Sequence, residues 1–200
     1  MAVLIKHPRI EGQRAKEAGA FLMYVLSWAL PCFSIFAAEL QSAISREYQV
    51  KAVFLYNFAQ FVEWPADAFA RTNSPLVIGV LGDDPFGAYL DETVRNEQVG
   101  ERRMAVERYR RWEEIKSCHI LFISRSESSR LEAVLNGTRN RNILTVGDFD
   151  GFAQRGGMIR FMTENGKIRL RVSLDTIKAS NLKMSSKLLR PAQIIGSGKD

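Results

Sequence analysis

Three short apolar runs constrain the fold of this chain more than any other feature. Leu76 to Leu81 reads LVIGVL, His119 to Ile123 reads HILFI, and Ile143 to Val146 reads ILTV. A run without polar alternation is typical of a strand that is buried on both faces of a sheet. Segments with helical periodicity lie between the runs. Buried strands that alternate with helices predict a parallel α/β sheet.

Two helices are predicted between these strands. Asp84 and Pro85 suit the N-cap and the first position of a helix that follows the first strand. A second helix is predicted from Ser126 to Leu135, with its end at Asn136-Gly137. A weaker alternation between Asn96 and Tyr109 predicts one further strand.

The pattern changes after Gly156. Residues 158–162 and 168–172 alternate on either side of Asn165-Gly166, which is the strongest short signal for a β-hairpin. The segment from Asp175 to Leu189 is amphipathic and predicts a final helix. The predicted fold class is therefore a single-domain α/β protein. Its mixed, mostly parallel sheet is flanked by helices and ends in a C-terminal antiparallel hairpin, at one edge, and a final helix.

The stretch from Glu47 to Pro65, EYQVKAVFLYNFAQFVEWP, predicts a helix that ends before the proline. Tyr56 and Trp64 fall off its apolar arc, among Gln60 and Glu63. These aromatics either meet a loop or form, with their polar neighbours, a surface that faces a partner protein. The arc itself is interrupted only by Lys51 and contains Val50, Ala52, Phe54, Leu55, Phe58, Ala59, Phe61 and Val62.

The first 38 residues differ in character from the rest of the chain. A basic segment precedes the uncharged run from Phe21 to Ala38, which ends in two alanines. This order predicts a signal peptide over residues 1–38 and export of the protein. An uncleaved membrane anchor is the rival interpretation, because the run is about long enough to span a bilayer. The folded domain is predicted over residues 39–195, with a disordered tail at residues 196–200.

The predicted mature chain offers few side chains for catalysis. Cys118 and His119 are its single cysteine and histidine, and adjacent residues of a strand point to opposite faces. Asp83 and Asp84 resemble part of a magnesium site, but capping of a helix explains Asp84 better. Phosphate loops, dinucleotide fingerprints and nucleophile elbows do not occur in the sequence. We therefore predict no enzymatic activity, no cofactor and no metal ion.

The formal net charge of +6 makes the chain moderately basic. Part of it is concentrated between positions 102 and 111, and glutamates at positions 101, 107, 113 and 114 make a solvated face the simplest interpretation. An acidic protein surface or an anionic lipid is the alternative partner for this cluster. Nucleic acid is not expected as a partner of an exported protein. The cluster consists of Arg102, Arg103, Arg108, Arg110 and Arg111, with Tyr109 and Trp112.

Five motifs resemble the YfiR-like family of exported bacterial proteins. They are KAVFLYNFAQFVEWP, IGVLGDDPFG, CHILFIS, ILTVGDFDGFAQRGGMIRF and NLKMSSKLLR. Each motif alone is weakly specific, whereas their combination in this order is strongly specific. The resemblance covers roughly Tyr48 to Ile195, which is nearly all of the predicted mature chain.

The resemblance implies a periplasmic regulator without catalytic activity. Well-known members of the family bind the periplasmic sensor part of an inner-membrane diguanylate cyclase and hold that enzyme inactive, which lowers cyclic di-GMP and limits biofilm formation. An outer-membrane lipoprotein can sequester such a repressor. Well-known members also carry paired cysteines, but this chain keeps only Cys118 in its mature part. Intramolecular redox control therefore does not carry over, and a homodimer through Cys118 would require the thiol to be accessible.

The resemblance also implies candidate binding residues, to which Tyr56 is added because it lies off the apolar arc. Each can instead be structural, for example Asn57 as a satisfied core amide or Asp148 as a helix cap. The candidates are Asn57, Glu63 and Trp64 in the first motif, Asp148, Phe149 and Arg160 around the third strand, and Asn181 and Ser186 in the last motif.

A second functional interpretation stays open at this stage. The carboxyl ends of parallel strands commonly form a ligand crevice. Asp83, Asp148 and Arg160 are expected near that edge. The alternative to a protein-binding repressor is therefore a periplasmic module of the same fold that binds a small ligand.

Overall fold

The computed structural model of the protein describes residues 45–190 and 192–196. Residues Arg46–Asp200 form one compact unit. The predicted signal peptide at residues 1–38 lies outside the described residues, and so does most of the predicted tail. Within the described residues, no helix combines the length and the apolar character needed to cross a bilayer.

An eight-stranded mixed sheet forms the centre of the fold, and the predicted fold class is confirmed. The sheet contains β2 (Leu76–Leu81), β3 (Gln98–Val99), β4 (Arg102–Tyr109), β5 (Ile120–Ile123), β6 (Leu144–Gly147), β7 (Ile159–Glu164), β8 (Lys167–Ser173) and β10 (Ala192–Ile195). Its order is β10-β8-β7-β6-β5-β2-β4-β3. The three predicted buried strands are β2, β5 and β6, which pair in parallel. A separate two-stranded sheet pairs β1 (Val62–Glu63) with β9 (Lys183–Met184).

Helices cover both faces of the sheet because alternate residues of the central strands supply two apolar cores. In β2, Val80 belongs to the core that includes α1 (residues 45–61) and α2 (Ala88–Val94). The neighbouring Leu81 belongs to the core that includes α3 (Leu131–Thr138). Two short helices, α4 (Leu174–Lys178) and α5 (Ser186–Leu189), pack on the α1 side.

The buried face of α1 is rotated about the helix axis relative to the predicted apolar arc. Val50 was expected in the core but is 46% exposed, whereas Lys51, expected to interrupt the arc, is only 3% exposed. Helix α1 ends at residue 61, because the next two residues form β1 and the Ser185 N–H donates to the Phe61 carbonyl at 2.9 Å. Glu63 and Trp64 therefore do not lie on the helix.

The segment after β2 also differs from the prediction. Helix α2 begins at Ala88, and Asp84 is not its N-cap. Instead, Asp84 Oδ1 accepts a hydrogen bond from the Phe86 N–H at 2.8 Å, and Asp84 Oδ2 accepts one from Arg108 Nε at 2.7 Å. The carboxylate thus closes a local turn and ties this turn to β4.

Helix α3 does not end at Asn136-Gly137 as predicted but continues to Thr138. Gly137 lies against the indole ring of Trp112, and a Cβ atom at position 137 would come within 2.2 Å of a ring carbon. Close packing of a ring on the helix backbone, rather than a left-handed helix end, accounts for this glycine.

The predicted hairpin is confirmed as β7 and β8. Asn165 and Gly166 have φ angles of 51° and 70°, and positive values at both central residues are required by the two-residue turn that suits a twisted hairpin. The hairpin is not at the edge of the sheet, because β10 pairs in parallel with the outer side of β8.

The single final helix predicted from Asp175 to Leu189 is divided into α4, β9 and α5. Ser180 causes part of this division, because its hydroxyl donates to the Ile177 carbonyl at 2.7 Å and accepts from the Leu182 N–H at 3.3 Å. A serine that bonds to nearby backbone groups in this way competes with helix continuation.

An aromatic cluster around a buried histidine lies at the amino-terminal edge of the parallel strands. His119 is fully buried there, and its Nδ1 accepts a hydrogen bond from the Val77 N–H at 3.0 Å. The imidazole stacks on Phe69, with ring centroids 4.4 Å apart, and meets Trp64 edge-on at 6.1 Å. The Arg102 guanidinium lies 3.7 Å from the centroid of the Phe69 ring. Because Nδ1 is an acceptor, the neutral imidazole carries its proton on Nε2.

Burial lowers the pKa of His119 from 6.5 to about 4; the Ala68 carbonyl opposes this shift and the Arg102 charge adds to it. The unfolded chain therefore binds the proton more tightly than the folded protein between these two values. It follows that the contribution of the neutral imidazole to stability is fully present above pH 6.5 and is lost as the pH falls towards 4.

We predict that the free energy of unfolding depends less on pH in His119→Asn than in the wild type. An asparagine does not titrate, and its oxygen can take the place of Nδ1. Between pH 6.5 and 4 the wild type should lose up to about 1.4 kcal/mol per pH unit more than the variant. Urea unfolding across this range provides the measurement. Parallel pH profiles of the two proteins would contradict the prediction, whatever their difference in absolute stability.

Candidate functional site

Two of the predicted site residues, Asp148 and Arg160, meet at the carboxyl edge of the parallel strands, where β6 ends. An open cleft of about 530 Å³, which we name the α1–β7 cleft, lies at this position. Asp148 follows β6, Arg125 follows β5, and Arg160 lies in β7. The remaining lining residues are Glu47 and Lys51 of α1, Phe161, Met162, Thr163 and Glu164 of β7, and Arg171 of β8.

A nearly buried ion pair forms the inner wall of the cleft. Lys51 Nζ lies 2.7 Å from Asp148 Oδ2 and 2.6 Å from Glu47 Oε1. The side chains of Lys51 and Asp148 are only 4% and 5% exposed. Tyr48 donates its hydroxyl proton to the same Asp148 oxygen at 2.8 Å. The desolvated lysine and aspartate therefore compensate each other, and additional hydrogen bonds complete the cluster.

Tyr48 connects this ion pair to the apolar core. Burial, and then the charge of Asp148, raises the pKa of the Tyr48 phenol above its ordinary value, so the hydroxyl group stays protonated and donates. Its ring packs edge-on against Phe86 at 5.4 Å, and Phe86 packs in the same way on Phe122 at 4.8 Å. Aromatic packing in the core thus holds the Tyr48 side chain that hydrogen-bonds to the inner wall of the cleft.

Three guanidinium groups border the cleft. Arg160 pairs with Asp150, but its buried Nε has no hydrogen-bond partner. Arg171 donates from Nε and Nη2 to the neutral Gln193 Oε1, at 3.1 and 3.0 Å. Arg125 is exposed and forms no ion pair or side-chain hydrogen bond with the residues that the structure describes. The cleft therefore presents donors suited to a carboxylate or another anionic group.

Tyr56 and Trp64 do not share a helix face, in contrast to the predicted surface. Tyr56 donates its hydroxyl proton to Glu97 Oε2 at 2.9 Å, near the start of β3. Trp64 follows β1 and packs beside His119, and its buried Nε1 has no hydrogen-bond partner. Glu63 is exposed, and its backbone pairs with that of Lys183.

Asn57 is half-buried and lies on the outward side of α1 with Val50 and Val53. These two valines are 46% and 42% exposed. Residues 50, 53 and 57 recur at helical spacing, so they form one strip, which we name the outer α1 strip. The opposite side of α1 covers the sheet, and the apolar side chains of the strip point away from it.

Phe149 and Ser186 both lie outside the α1–β7 cleft. Phe149 is 2% exposed and packs edge-on against Phe152 at 5.3 Å, in the core on the α3 side. It offers no surface to a partner in this conformation. Ser186 is the exposed first residue of α5, while the neighbouring Ser185 caps that helix by accepting the Lys187 N–H at 3.3 Å.

Asn181 lines a second cavity, of about 640 Å³, between α3 and α4. Its amide donates to Asn142 Oδ1 at 3.2 Å, and Asn142 in turn donates to Asp67 Oδ1 at 3.2 Å. Leu135, Ile143 and Met158 contribute apolar lining. Asn181 is therefore separated from Asp148 and Arg160, which line the α1–β7 cleft.

Cys118 is buried, and burial raises the pKa of its thiol to about 12. Its Sγ lies 3.1 Å from the Ile120 carbonyl. The thiol is therefore protonated near neutral pH, so this cysteine is unreactive as long as it stays in the core. Metal-binding clusters of three or more histidine, cysteine, aspartate or glutamate side chains do not occur in the described part of the chain.

Sequence reasoning did not identify Tyr48, Lys51 and Arg125 as parts of this site. Lys51 did carry a usable signal, because a lysine inside an apolar helical arc requires a buried counter-charge. The identity of that counter-charge could not be inferred, since Asp148 lies 97 positions away in the sequence.

We predict that Lys51→Met destabilises the protein by roughly 3 kcal/mol, because it leaves the Asp148 carboxylate buried without a cation. Lys51→Met combined with Asp148→Asn should be less destabilised than Lys51→Met alone, since no buried charge remains. Urea unfolding of the two single variants and the double variant measures this coupling. Additive losses in the double variant would show that the two side chains do not compensate each other.

No curated protein matches the chain. A family model described as YfiR/HmsC-like matches residues 48–193, which is more than half of the chain and includes every residue that lines the α1–β7 cleft except Glu47. This match confirms the resemblance found in the sequence motifs. YfiR-like proteins are periplasmic and regulatory rather than catalytic. The chain therefore belongs to the YfiR/HmsC-like family.

Proposed function

We propose that this protein is exported to the periplasm, binds the periplasmic sensor part of an inner-membrane diguanylate cyclase, and holds that enzyme inactive. The resulting fall in cyclic di-GMP would limit biofilm formation, and an outer-membrane lipoprotein could relieve the repression by sequestering the protein. The observation that carries the proposal is the family match over residues 48–193, which spans nearly the whole described α/β unit.

The outer α1 strip is the first candidate for the contact surface. Val50 and Val53 are large apolar side chains that the core does not use, and they lie next to each other on one helix. Burying them against a partner removes apolar surface from water, which favours association. Glu47 precedes Val50 by one turn and lines the α1–β7 cleft, so the strip and the cleft are adjacent.

We predict that Val53→Glu abolishes repression without unfolding the protein. A charge at this position would be desolvated in the complex but stays hydrated in the free protein. In cells that contain the cyclase, cyclic di-GMP should rise to the level of a deletion strain. Capture of the purified periplasmic part of the cyclase should fall at least about tenfold.

The matched control is Tyr89→Glu, which places the same charge at a 37% exposed aromatic position on α2. This variant should repress as the wild type does. If Val53→Glu and Tyr89→Glu both repress normally, the outer α1 strip is not the contact surface. If the wild type neither captures the cyclase fragment nor lowers cyclic di-GMP, the proposed function itself is wrong.

The second candidate function, a module that binds a small ligand, is favoured by the cavity between α3 and α4. Its volume of about 640 Å³ lies within the usual range of small-molecule sites, and the side chains of Asn142 and Asn181 line it. Its lining combines apolar and amide groups with charged residues, and this combination is suited to a small polar compound.

We predict that, if this second function is correct, one periplasmic metabolite raises the melting temperature of the wild type. A ligand at one hundred times its dissociation constant stabilises the folded state by about 2.7 kcal/mol. Asn181→Leu should remove this shift, while Asn57→Leu, outside the cavity, should retain it. The absence of any shift across a metabolite screen would exclude the second function in favour of the first.

A further inference from the structure

Strand β7 extends beyond its neighbour β6. The two strands pair only at Val146 with Ile159 and at Gly147 with Arg160. Strand β7 then continues to Glu164, paired on its other side with β8. Residues 161–164 of β7 therefore have no neighbouring strand on the side where β6 has ended, and this open edge faces the α1–β7 cleft.

The register of the hairpin determines which backbone groups point into the cleft. The Glu164–Lys167 pair closes the two-residue turn and is therefore a hydrogen-bonded pair. Because such pairs alternate along an antiparallel ladder, Thr163 is a non-hydrogen-bonded position of the ladder. Its N–H and C=O groups, together with the C=O group of Phe161, consequently point towards the open side.

Among the described residues that line the cleft, Arg125 and Arg171 have no ion-pair partner, against one such carboxylate, Glu164, so the unpaired charges favour an acidic occupant. Lys51 is already neutralised by Asp148 and Glu47, whereas Arg125 has no carboxylate partner among the described residues and Arg171 bonds only to a neutral amide. The buried Arg160 Nε also lacks an acceptor. Guanidinium donors therefore remain available beside a row of unpaired backbone groups.

We propose that the α1–β7 cleft takes an extended acidic segment of the partner protein, which adds to the sheet as a strand along the open edge of β7. This inference rests on the proposed function, because the segment is expected to belong to the partner that the protein represses. Main-chain hydrogen bonds to Thr163 and Phe161 hold the segment, and its acidic side chains pair with Arg125 and Arg171.

Both the shape and the chemistry of the site support a strand rather than an isolated anion. A free anion can accept hydrogen bonds from the guanidinium groups, but it has no donor for the outward carbonyl groups of Phe161 and Thr163. An extended peptide offers alternating donors and acceptors at about 3.3 Å per residue, which matches the spacing of the edge. Open strand edges are normally covered or blocked, so an unblocked edge inside a cleft is suited to strand addition.

Three labelled hexapeptides test the proposal by fluorescence anisotropy with the purified protein. The first alternates glutamate and valine, the second alternates lysine and valine, and the third is the acidic peptide with N-methyl groups on alternate backbone nitrogens. The acidic peptide should bind at least about tenfold more tightly than each of the other two. It should also slow hydrogen–deuterium exchange of the Thr163 amide.

Equal binding of the acidic peptide and its N-methylated form would overturn strand addition and leave only charge attraction. Failure of all three peptides to bind would overturn the proposal as well. Free glutamate serves as the anion control. If it displaces the acidic peptide fully at a similar concentration, the cleft is an anion site and the proposal is wrong.

Variants locate the binding on the protein. Arg125→Glu should lower the affinity for the acidic peptide at least about tenfold. Arg103 is an exposed arginine of β4, and Arg103→Glu should leave this affinity unchanged. Thr163→Pro removes the outward N–H donor, and Thr163→Ala keeps it. Loss of peptide binding in Thr163→Pro, with binding retained in Thr163→Ala, supports strand addition. An unchanged affinity in both Arg125→Glu and a folded Thr163→Pro variant would overturn the proposal.

The periplasmic part of the cyclase, tested in the same assay, separates this proposal from the proposed function. Equal capture of that fragment by the wild type, Arg125→Glu and Thr163→Pro would overturn strand addition while the proposed function stands. If the wild type does not capture the fragment but binds the acidic peptide with protection of Thr163, the site is supported and the proposed partner is wrong.

Discussion

The buried pair between Lys51 and Asp148 is the contact on which the arrangement of α1 depends. An amphipathic helix with a broad apolar arc can bury apolar surface in more than one rotation about its axis, because the hydrophobic effect is not directional. A lysine on that arc restricts the rotation of the helix, since its charge can be buried only next to a carboxylate. Asp148 at the end of β6 therefore selects one rotation of α1, in which Val50 is turned towards solvent.

This constraint explains which parts of the fold the sequence could predict. The central strands are predictable because each is a short apolar run, and the β7–β8 turn is predictable because Asn165 and Gly166 both adopt positive φ angles. Local pattern is sufficient in these cases. The rotation of α1, the end of α1 at residue 61 and the pairing of β1 with β9 depend instead on residues far away in the sequence.

The candidate site was predictable only in part, for the same reason. Asp148 and Arg160 could be placed at the carboxyl edge of the sheet because a strand end and a strand start are local features. Lys51, Tyr48 and Arg171 reach that edge from α1 and β8, and nothing in their own surroundings in the sequence indicates it. Strand β10 was missed because its four residues include exposed positions and follow Pro191, so they lack the apolar pattern of the central strands.

The two edges of the parallel strands have opposite chemistry, which bears on where recognition takes place. At the amino-terminal edge, Trp64, Phe69 and His119 pack ring against ring, and the imidazole stays neutral because it is buried. Opening this edge would expose apolar surface. At the carboxyl edge, Asp148 pairs with Lys51 directly after β6 ends, and β7 continues beyond that point paired with β8 on one side only. The ion pair that orients α1 and the uncovered edge of β7 thus lie in one cleft, which is the site where we propose that a partner binds.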